Sequence, residues 1–259
     1  MLQSSASPAA PAPARRSSGS AAIGRAWRAR QNRIDSASFH WTEVVAHRHD
    51  WIPNPLHADS ENAADPALTR ERTDTVSRAL VISGNRIRVM YTDRHAVPGS
   101  RTVTDTTFTD WITQGGHIGD LVLRPVLLDV RPLDRNLGFR TRARTLAYGA
   151  TQKIYRREAL ISIEEPADSG KWKHSLWLDP ARDYVVRRHL LIHAADTMIE
   201  QTISYFDDPT WGWLPCRWVT LRRKSRPVLW QSSQARLTSF RINGLAGTPP
   251  NFSNRNACH

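Results

Sequence analysis

The feature of this sequence that most constrains its fold is a series of short apolar runs, each ended by a turn signal, that starts at Trp172. The turn signals are Asp179-Pro180, Asp208-Pro209 with Gly212, Arg226-Pro227 and Asn243-Gly244. Runs of strand length at this spacing favour antiparallel hairpins over alternating strands and helices. We therefore expect a mainly β protein of α+β type, built on one strongly curved antiparallel sheet.

Two segments predict helices beside this sheet. Residues 21–35 carry apolar side chains four and seven positions apart among arginines, the pattern of an amphipathic helix. Residues 121–133 are apolar nearly throughout and contain Pro125 and Pro132. Because proline is tolerated in the first turn of a helix but not in a central strand, we expect a short helix that begins near Pro125 and ends before Pro132.

The part of the chain before Trp172 predicts further strands. Ser83-Gly84-Asn85 lies between two extended runs and supplies residues that tolerate positive φ, which indicates a hairpin. Period-two alternation and β-branched or aromatic residues predict other strands at residues 39–45, 102–114, 141–147, 152–157 and 159–165. The sequence shows no internal repeat of fixed period, so we expect a single sheet.

Composition predicts one folded domain with two tails. A β domain of more than 200 residues is common as a single unit, and we place it at residues 21–247. Residues 1–20 are rich in Ala, Pro and Ser and predict a disordered tail or linker, and residues 248–259 predict a disordered C-terminal tail. Residues 1–20 also lack the apolar core of a signal peptide, so either the protein stays inside the cell or its true start lies upstream.

The charge is strongly positive, at +12 with a sequence pI of about 10.7, and only four of the 36 basic residues are lysines. This excess of arginine over lysine reflects either an arginine-biased genome or selection for phosphate and carboxylate partners. The first reading is favoured because the arginines are spread along the whole chain. An anionic membrane surface fits this charge. Nucleic acid is not expected, since a solvated hairpin tip explains the basic residues 221–226 equally well.

Catalytic and metal-binding signatures are missing from the sequence. It has no phosphate-binding loop, dinucleotide fingerprint, nucleophile elbow or zinc-protease motif. His47, His49 and His57 have no acidic or cysteine partner at a fixed spacing, so we interpret them as loop histidines. We therefore expect no enzyme activity, no cofactor and no metal. Cys216 and Cys258 allow one disulfide without implying it.

Four stretches occur in an order that is typical of one known family. They are LWLDPARDYVVRRH at 176–189, the amphipathic helix followed by FHWTE at 39–43, the hairpin ISGNRIRVMYT at 82–92, and ISY at 203–205 leading to GWLP at 212–215 and Trp218. In this order they resemble the LolA-like family of bacterial outer-membrane lipoprotein-sorting proteins. The resemblance implies a half-open antiparallel β-barrel whose apolar concave side is covered by helices. It also implies a periplasmic or cell-envelope location and the binding of lipid acyl chains or lipoproteins.

The resemblance allows a ligand groove to be assigned to residues. We expect the groove to be lined by Phe39, Trp41, Ile87, Val89, Tyr91, Leu176, Leu178, Tyr184 and Val186. The helix near Pro125 would serve as a lid or plug through Leu123, Val126, Leu127 and Val130. Strict alternation after Asp183 places Arg188 on the same face as Val186, where it would form a polar rim, and turns Arg187 to solvent.

The expected function is that of a non-catalytic cell-envelope protein that binds an acyl chain, lipid or lipoprotein in this groove, as a carrier or chaperone. The alternative is an envelope stress-sensing or scaffold module that uses the same fold to bind a membrane-anchored signalling protein. Lipid bound to the purified protein distinguishes the two hypotheses.

Overall fold

The computed structural model of this chain describes residues 18–47, 72–84, 86–95, 103–112, 124–133, 150–155, 158–165, 172–193, 197–224, 228–249 and 258. Two helices, α1 (Ser18–Arg33) and α2 (Arg124–Val130), accompany one large antiparallel sheet. The strands are β1 (Ser36–His47), β2 (Arg72–Ser83), β3 (Arg86–His95), β4 (Val103–Ile112), β5 (Ala150–Tyr155), β6 (Glu158–Glu165), β7 (Trp172–Asp179), β8 (Val185–His193), β9 (Thr197–Asp208), β10 (Gly212–Lys224), β11 (Val228–Ile242) and β12 (Leu245–Gly247).

The order of the strands explains how the two ends of the domain meet. From edge to edge the sheet runs β4-β3-β2-β1-β11-β10-β9-β8-β7-β6-β5, and β12 pairs with β11. All neighbours are hairpin partners along the chain except β1 and β11, which join the first half of the domain to its end. Among the described strands β4 and β5 have no further neighbour, so the sheet is not closed. The predicted fold class, mainly β with a single open antiparallel sheet, is confirmed.

Irregularities in the strand pairing bend the sheet. The register shifts between His40 and Trp41, between Trp177 and Leu178, between Pro215 and Arg217, and between Arg222 and Arg223. An extra residue on one strand bends that strand and increases its twist. The extra residues of these four shifts lie on β8, β10 and β11, where they bend the sheet. The face on which α1 and α2 pack is called here the concave face.

The predicted elements can be compared with the observed ones. The helix expected at residues 21–35 is α1, and the short helix expected to begin near Pro125 is α2. The SGN hairpin joins β2 to β3 with Gly84 at φ +55°, and the strand expected at 102–114 is β4. The strand expected at 141–147 lies outside the described residues, as do His49, His57 and residues 1–17.

One apolar cluster fills the concave face. It combines Ile23 and Trp27 of α1 and the apolar residues of α2 with inward-facing residues of the sheet, and its largest members include Trp41 and Trp218. A disulfide links Cys216 of this cluster to Cys258. Within the part of the chain that the structure describes, no helix is long and apolar enough to cross a membrane.

Candidate functional site on the concave face

The predicted groove residues come together in the apolar cluster. Seven of them are at most 2% exposed: Phe39, Trp41, Ile87, Val89, Leu176, Leu178 and Val186. The register explains this convergence, since Phe39 pairs with Leu80 and Leu80 pairs with Val89 across β1, β2 and β3. The side chain of Tyr91 lies outside the described part of the structure. The role of these residues as ligand contacts stays a prediction.

Helix α2 covers the cluster from the concave side. It contacts β8, β10 and α1, and all seven of its residues are buried. The predicted lid residues Val126, Leu127 and Val130 belong to the cluster, whereas Leu123 lies outside the described residues. A helix without an exposed face must be surrounded by protein, because its apolar side chains would otherwise meet water. The place expected for an apolar ligand is therefore occupied by α2.

A buried ion pair connects α2 to α1. The Nη1 atom of Arg30 lies 3.3 Å from Oδ1 of Asp129, and the two side chains are 5% and 0% exposed. Burial raises the pKa of Asp129 to about 7, although the positive charges of Arg30 and Arg33 act against this rise. The carboxyl group therefore holds its proton more tightly in the folded protein than an exposed Asp does.

The turn between β7 and β8 is also hydrogen-bonded to α1. Trp27 donates from Nε1 to the carbonyl oxygen of Tyr184 at 2.9 Å, and Arg30 donates from Nη2 to that of Asp183 at 2.6 Å. Both turn residues have positive φ, at 50° and 58°, which directs their carbonyl groups away from the strand ladder. Arg30 therefore contacts α2 and this turn at once.

The β7–β8 turn has the hydrogen bonding and backbone conformation that its Asp-Pro sequence predicts. Asp179 caps a 3₁₀ turn, Pro180–Arg182, by accepting a hydrogen bond from the Ala181 amide at 2.9 Å, and Asp183 ends the turn in the left-handed region. Tyr184, a predicted groove residue, is the last residue of the turn and not part of the returning strand, because β8 begins at Val185. Its half-buried side chain still packs against the cluster.

The predicted faces of Arg187 and Arg188 are wrong. Leu178 pairs with Val186 and Trp177 pairs with Arg188, so Arg187 is the extra residue of a bulge and the alternation shifts by one. Arg188 stacks on the ring of Trp177 at 4.8 Å, on the face opposite to Leu176, and binds Glu200 at 2.8 Å. It is therefore not at the rim of the concave face.

The bulge also changes which residues of β8 are buried. Arg187 does not simply face solvent, because it contacts Asp179 at 3.4 Å and Glu158 at 3.5 Å. Strict alternation would place Val185, His189 and Leu191 on the outer face with Arg187, but all three are buried.

A row of buried and half-buried polar side chains continues the concave face beyond the cluster. This polar row consists of Arg78, Glu43, Ser233, Thr220, Gln201 and His189, on the neighbouring strands β2, β1, β11, β10, β9 and β8. Arg78 donates from Nε to Glu43 at 2.7 Å, Gln201 donates from Nε2 to the Thr220 hydroxyl at 3.3 Å, and His189 Nδ1 lies 3.0 Å from the side-chain oxygen Oε1 of Gln201. A pocket of about 120 Å³ opens among Glu43, Val45, Arg78, Thr220, Arg222, Gln231 and Ser233.

Two acidic side chains outside the cluster and the polar row have structural roles. Glu164 pairs with Lys173 at 3.0 Å on the surface, and Asp208 accepts hydrogen bonds from the amides of Thr210 and Trp211 in the β9–β10 turn. Within the described ranges, no three His, Cys, Asp or Glu side chains are grouped so as to hold a metal ion. The expectations of no metal, no cofactor and no enzyme activity stay predictions.

Sequence reasoning missed the ion pair and the polar row. Arg30 follows Ile23 and Trp27 on the same helical stripe, seven and three positions later, and this periodicity could have identified it as buried. Asp129 is the one acidic residue between Pro125 and Pro132, which is a signal for a partner inside the protein.

These features define a class of protein, an open antiparallel sheet whose concave face is covered by helices. The chain is similar in fold to the crystal structure of a DUF1329 family protein from Desulfovibrio piger ATCC 29098. The two chains are 7% identical, the similarity covers 87% of this chain and 92% of the other, and the TM-score is 0.44. No protein-family model matches the chain, and no curated protein does.

Proposed function

We propose that this protein is a non-catalytic cell-envelope protein that binds an acyl chain, lipid or lipoprotein on the concave face of its sheet, as a carrier or chaperone. The observation that carries the proposal is the burial of the whole of α2 against the apolar cluster. A seven-residue helix has little stability of its own, so its conformation depends on this docking. A ligand that covers the same apolar surface can therefore replace it.

The size of the docked surface indicates what kind of ligand could do so. Helix α2 buries Val126, Leu127, Leu128 and Val130, which at about 1.5–3 kcal/mol for each side chain amounts to about 6–12 kcal/mol. A methylene group contributes about 0.8 kcal/mol on burial, so about 8 to 15 methylene groups would offset the loss. This is the length of a fatty acyl chain, whereas a small metabolite has too little apolar surface.

The contacts of α1 include those that hold α2 over the apolar cluster, an arrangement called here the covered state. Displacement of α2 separates Asp129 from Arg30, while the hydrogen bonds of Trp27 and Arg30 to the β7–β8 turn remain with α1. The burial of Asp129, more than its pairing with Arg30, therefore determines how the covered state responds to pH. Because the pKa of Asp129 is about 7, protonation at mildly acidic pH favours the buried, covered state.

Two further observations support a location in the envelope. The disulfide between Cys216 and Cys258 suits an oxidising compartment, since cytosolic thiols are kept reduced. The net charge of +12 suits contact with anionic lipid head groups or an acidic partner protein. Both agree with the resemblance to lipoprotein-sorting proteins.

The first test is extraction of bound lipid from the protein purified without detergent, followed by mass spectrometry. We expect a long-chain lipid in the extract, and binding of fatty acids or lipopeptides after its removal. A protein that carries no lipid and ignores fatty acids and lipopeptides contradicts the proposal.

A matched pair of variants tests the part played by α2. Leu127→Ala weakens the docking of α2, and we expect it to bind a palmitoyl probe about tenfold more tightly, because less free energy is needed to uncover the cluster. Ile192→Ala, on the exposed face of β8, should leave the dissociation constant unchanged. Weaker binding by Leu127→Ala would contradict the displacement of α2.

A second function follows from one observation. The apolar cluster is already packed against α1 and α2, as expected for a sensor or scaffold module that needs no internal ligand. Affinity capture on the folded protein distinguishes the two functions. Recovery of one specific membrane-anchored envelope protein, with no lipid in the extract, would favour the sensor or scaffold role.

A further inference from the structure

Helix α1 has an exposed face whose only charged side chains are positive. Arg25, Arg28 and Arg33 are exposed, and no Asp or Glu occurs among the 16 residues of the helix. At about 100° per residue the three arginines fall within an arc of about 140°, opposite to the buried stripe of Ile23 and Trp27. We call this surface the basic face of α1.

The three arginines of the basic face are not neutralised by neighbouring side chains. Arginines of strand β8 are paired, as Arg187 is with Asp179 at 3.4 Å and Arg188 is with Glu200 at 2.8 Å. Within the described ranges, no side chain of the basic face forms an ion pair or a side-chain hydrogen bond. Its positive charge is therefore open to a partner outside the chain.

The charge pattern of the basic face does not stabilise α1 itself. Arg25 and Arg28 are three positions apart, so their side chains are neighbours on the helix surface, and like charges at this spacing destabilise a helix. The first turn of α1 also lacks an acidic residue, which would interact favourably with the helix dipole. A pattern that works against its own helix favours a role in binding.

The residues between the arginines indicate the kind of partner. Ala21, Ala29 and Asn32 are the other exposed residues within 20–33, so this part of the face has no large apolar side chain. Specific protein–protein interfaces depend on aromatic and other large side chains at their centre. An anionic lipid surface requires only charge, and each basic residue close to it strengthens binding about fivefold. The composition of the face therefore favours a membrane over a protein.

The basic face also lies close to the proposed acyl-chain site. The opposite side of α1 packs on the apolar cluster through Ile23 and Trp27, and Arg30 contacts Asp129 of α2 at 3.3 Å. A helix with its side chains is about 10–12 Å across. A membrane that binds the basic face is thus about one helix diameter away from the cluster that α2 covers.

We propose that the basic face of α1 docks the protein on an anionic lipid surface, so that acyl chains pass between the membrane and the concave face over a short distance. The inference rests on the proposed function for the identity of the cargo. It adds the surface through which the protein contacts the membrane.

Sedimentation with lipid vesicles tests the docking. We expect the protein to bind vesicles of phosphatidylglycerol and phosphatidylcholine in equal parts, to be released by high salt, and not to bind vesicles of phosphatidylcholine alone. Arg25→Gln with Arg28→Gln should weaken binding to the anionic vesicles about 20-fold, because it removes two charges that each contribute about fivefold. Glutamine has a helix propensity close to that of arginine, so α1 should be retained.

Two results of this experiment overturn the proposal. Equal binding of both kinds of vesicle would show that negative lipid charge is not recognised. Absence of binding to the anionic vesicles would leave an acidic protein, and not a membrane, as the partner of the basic face.

A matched control removes the same charge from the other side of the sheet. Arg236→Gln with Arg241→Gln changes two exposed arginines of β11, whose neighbours Leu237 and Phe240 point into the cluster. Charges farther from the membrane than the Debye length of about 10 Å are largely screened, so binding should weaken by less than about twofold. Equal weakening by the two double variants would assign the effect to net charge and overturn the role of the basic face.

Transfer of an acyl chain separates this proposal from the proposed function. Arg25→Gln with Arg28→Gln should take up palmitate from anionic vesicles about tenfold more slowly than the wild-type protein, and should bind monomeric palmitate in solution with the same dissociation constant. Failure of the wild-type protein to bind palmitate from solution overturns the proposed function. Normal binding from solution, together with uptake from vesicles that does not depend on the two arginines, overturns the docking proposal alone.

Discussion

The concave face has two regions that differ in chemistry although the same strands form them. The region under α1 and α2 contains the apolar cluster, with Phe39, Trp41 and Leu178, whereas the polar row two residues further along contains Glu43, Thr220 and Ser233. The first region derives its stability from packing, and the second from hydrogen bonds that surround a small pocket. The same strands thus support a region that helices cover and, beside it, a region whose buried side chains are hydrogen-bonded to one another.

The largest effect is expected from truncation in the apolar region. Phe39→Ala removes a fully buried ring and should lower the free energy of unfolding by about 3–5 kcal/mol, because it leaves a cavity. Urea unfolding followed by tryptophan fluorescence measures this loss. The control Leu245→Ala, at a residue 60% exposed on β12, should cost under about 0.5 kcal/mol. Similar losses for the two variants would refute the assignment of the cluster as the core.

The buried ion pair is a polar exception within the apolar region. At pH 9, where Asp129 is ionised in the wild-type protein, Arg30→Met leaves it without its positive partner and should cost about 3 kcal/mol, since an uncompensated buried charge is expensive. The double variant Arg30→Met with Asp129→Leu should recover most of that loss in the same unfolding experiment. If the double variant is no more stable than Arg30→Met, the two residues do not act as a pair.

Titration of Asp129 makes the stability of the apolar region depend on pH. Its pKa is about 7 in the folded protein against 3.8 when exposed, so the folded state holds a proton that the unfolded state has lost. The free energy of unfolding should therefore fall as pH rises from about 4 to 7, by at most about 1.4 kcal/mol per pH unit. Asp129→Asn should remove this part of the slope, and an unchanged slope would contradict the assignment.

The smallest effect is expected in the polar row. Ser233→Ala removes a hydroxyl that lines the pocket and should change the free energy of unfolding by less than about 1 kcal/mol, because no packed apolar contact is lost. Unfolding measured beside Phe39→Ala gives the contrast between the two regions directly. A loss of 3 kcal/mol or more at Ser233 would mean that the polar row is part of the stabilising core.

The sequence predicts the elements of this fold well because their signals are local. Pro125 lies in the first turn of α2 and Pro132 follows its end, the SGN turn marks the β2–β3 hairpin, and Asp179-Pro180 marks the turn between β7 and β8. In each case one or two residues restrict the backbone enough to end an element. The apolar residues of β1 follow simple alternation, so their burial could be expected.

The features that sequence reasoning missed depend on distant contacts or on one added residue. The bulge at Arg187 reverses the faces of the residues that follow it in β8. Neither of its neighbours, Val186 and Arg188, is a residue type that indicates a bulge. The polar row requires β1 and β11 to be neighbours, which places Val45 opposite Ser233, 188 positions apart. Arg30 and Asp129 meet because both helices lie on the same cluster. Alternation within a strand carries none of this information.

The central claim is that an acyl chain and α2 compete for the same apolar surface. Amide hydrogen exchange of the purified protein, with and without saturating 1-monopalmitoylglycerol, tests it most directly. We predict faster exchange in α2 when the lipid is bound, together with unchanged or slower exchange in β1 and β10. Exchange in α2 that is unchanged or slowed by a bound lipid would show that the lipid does not displace the helix, and would contradict the claim.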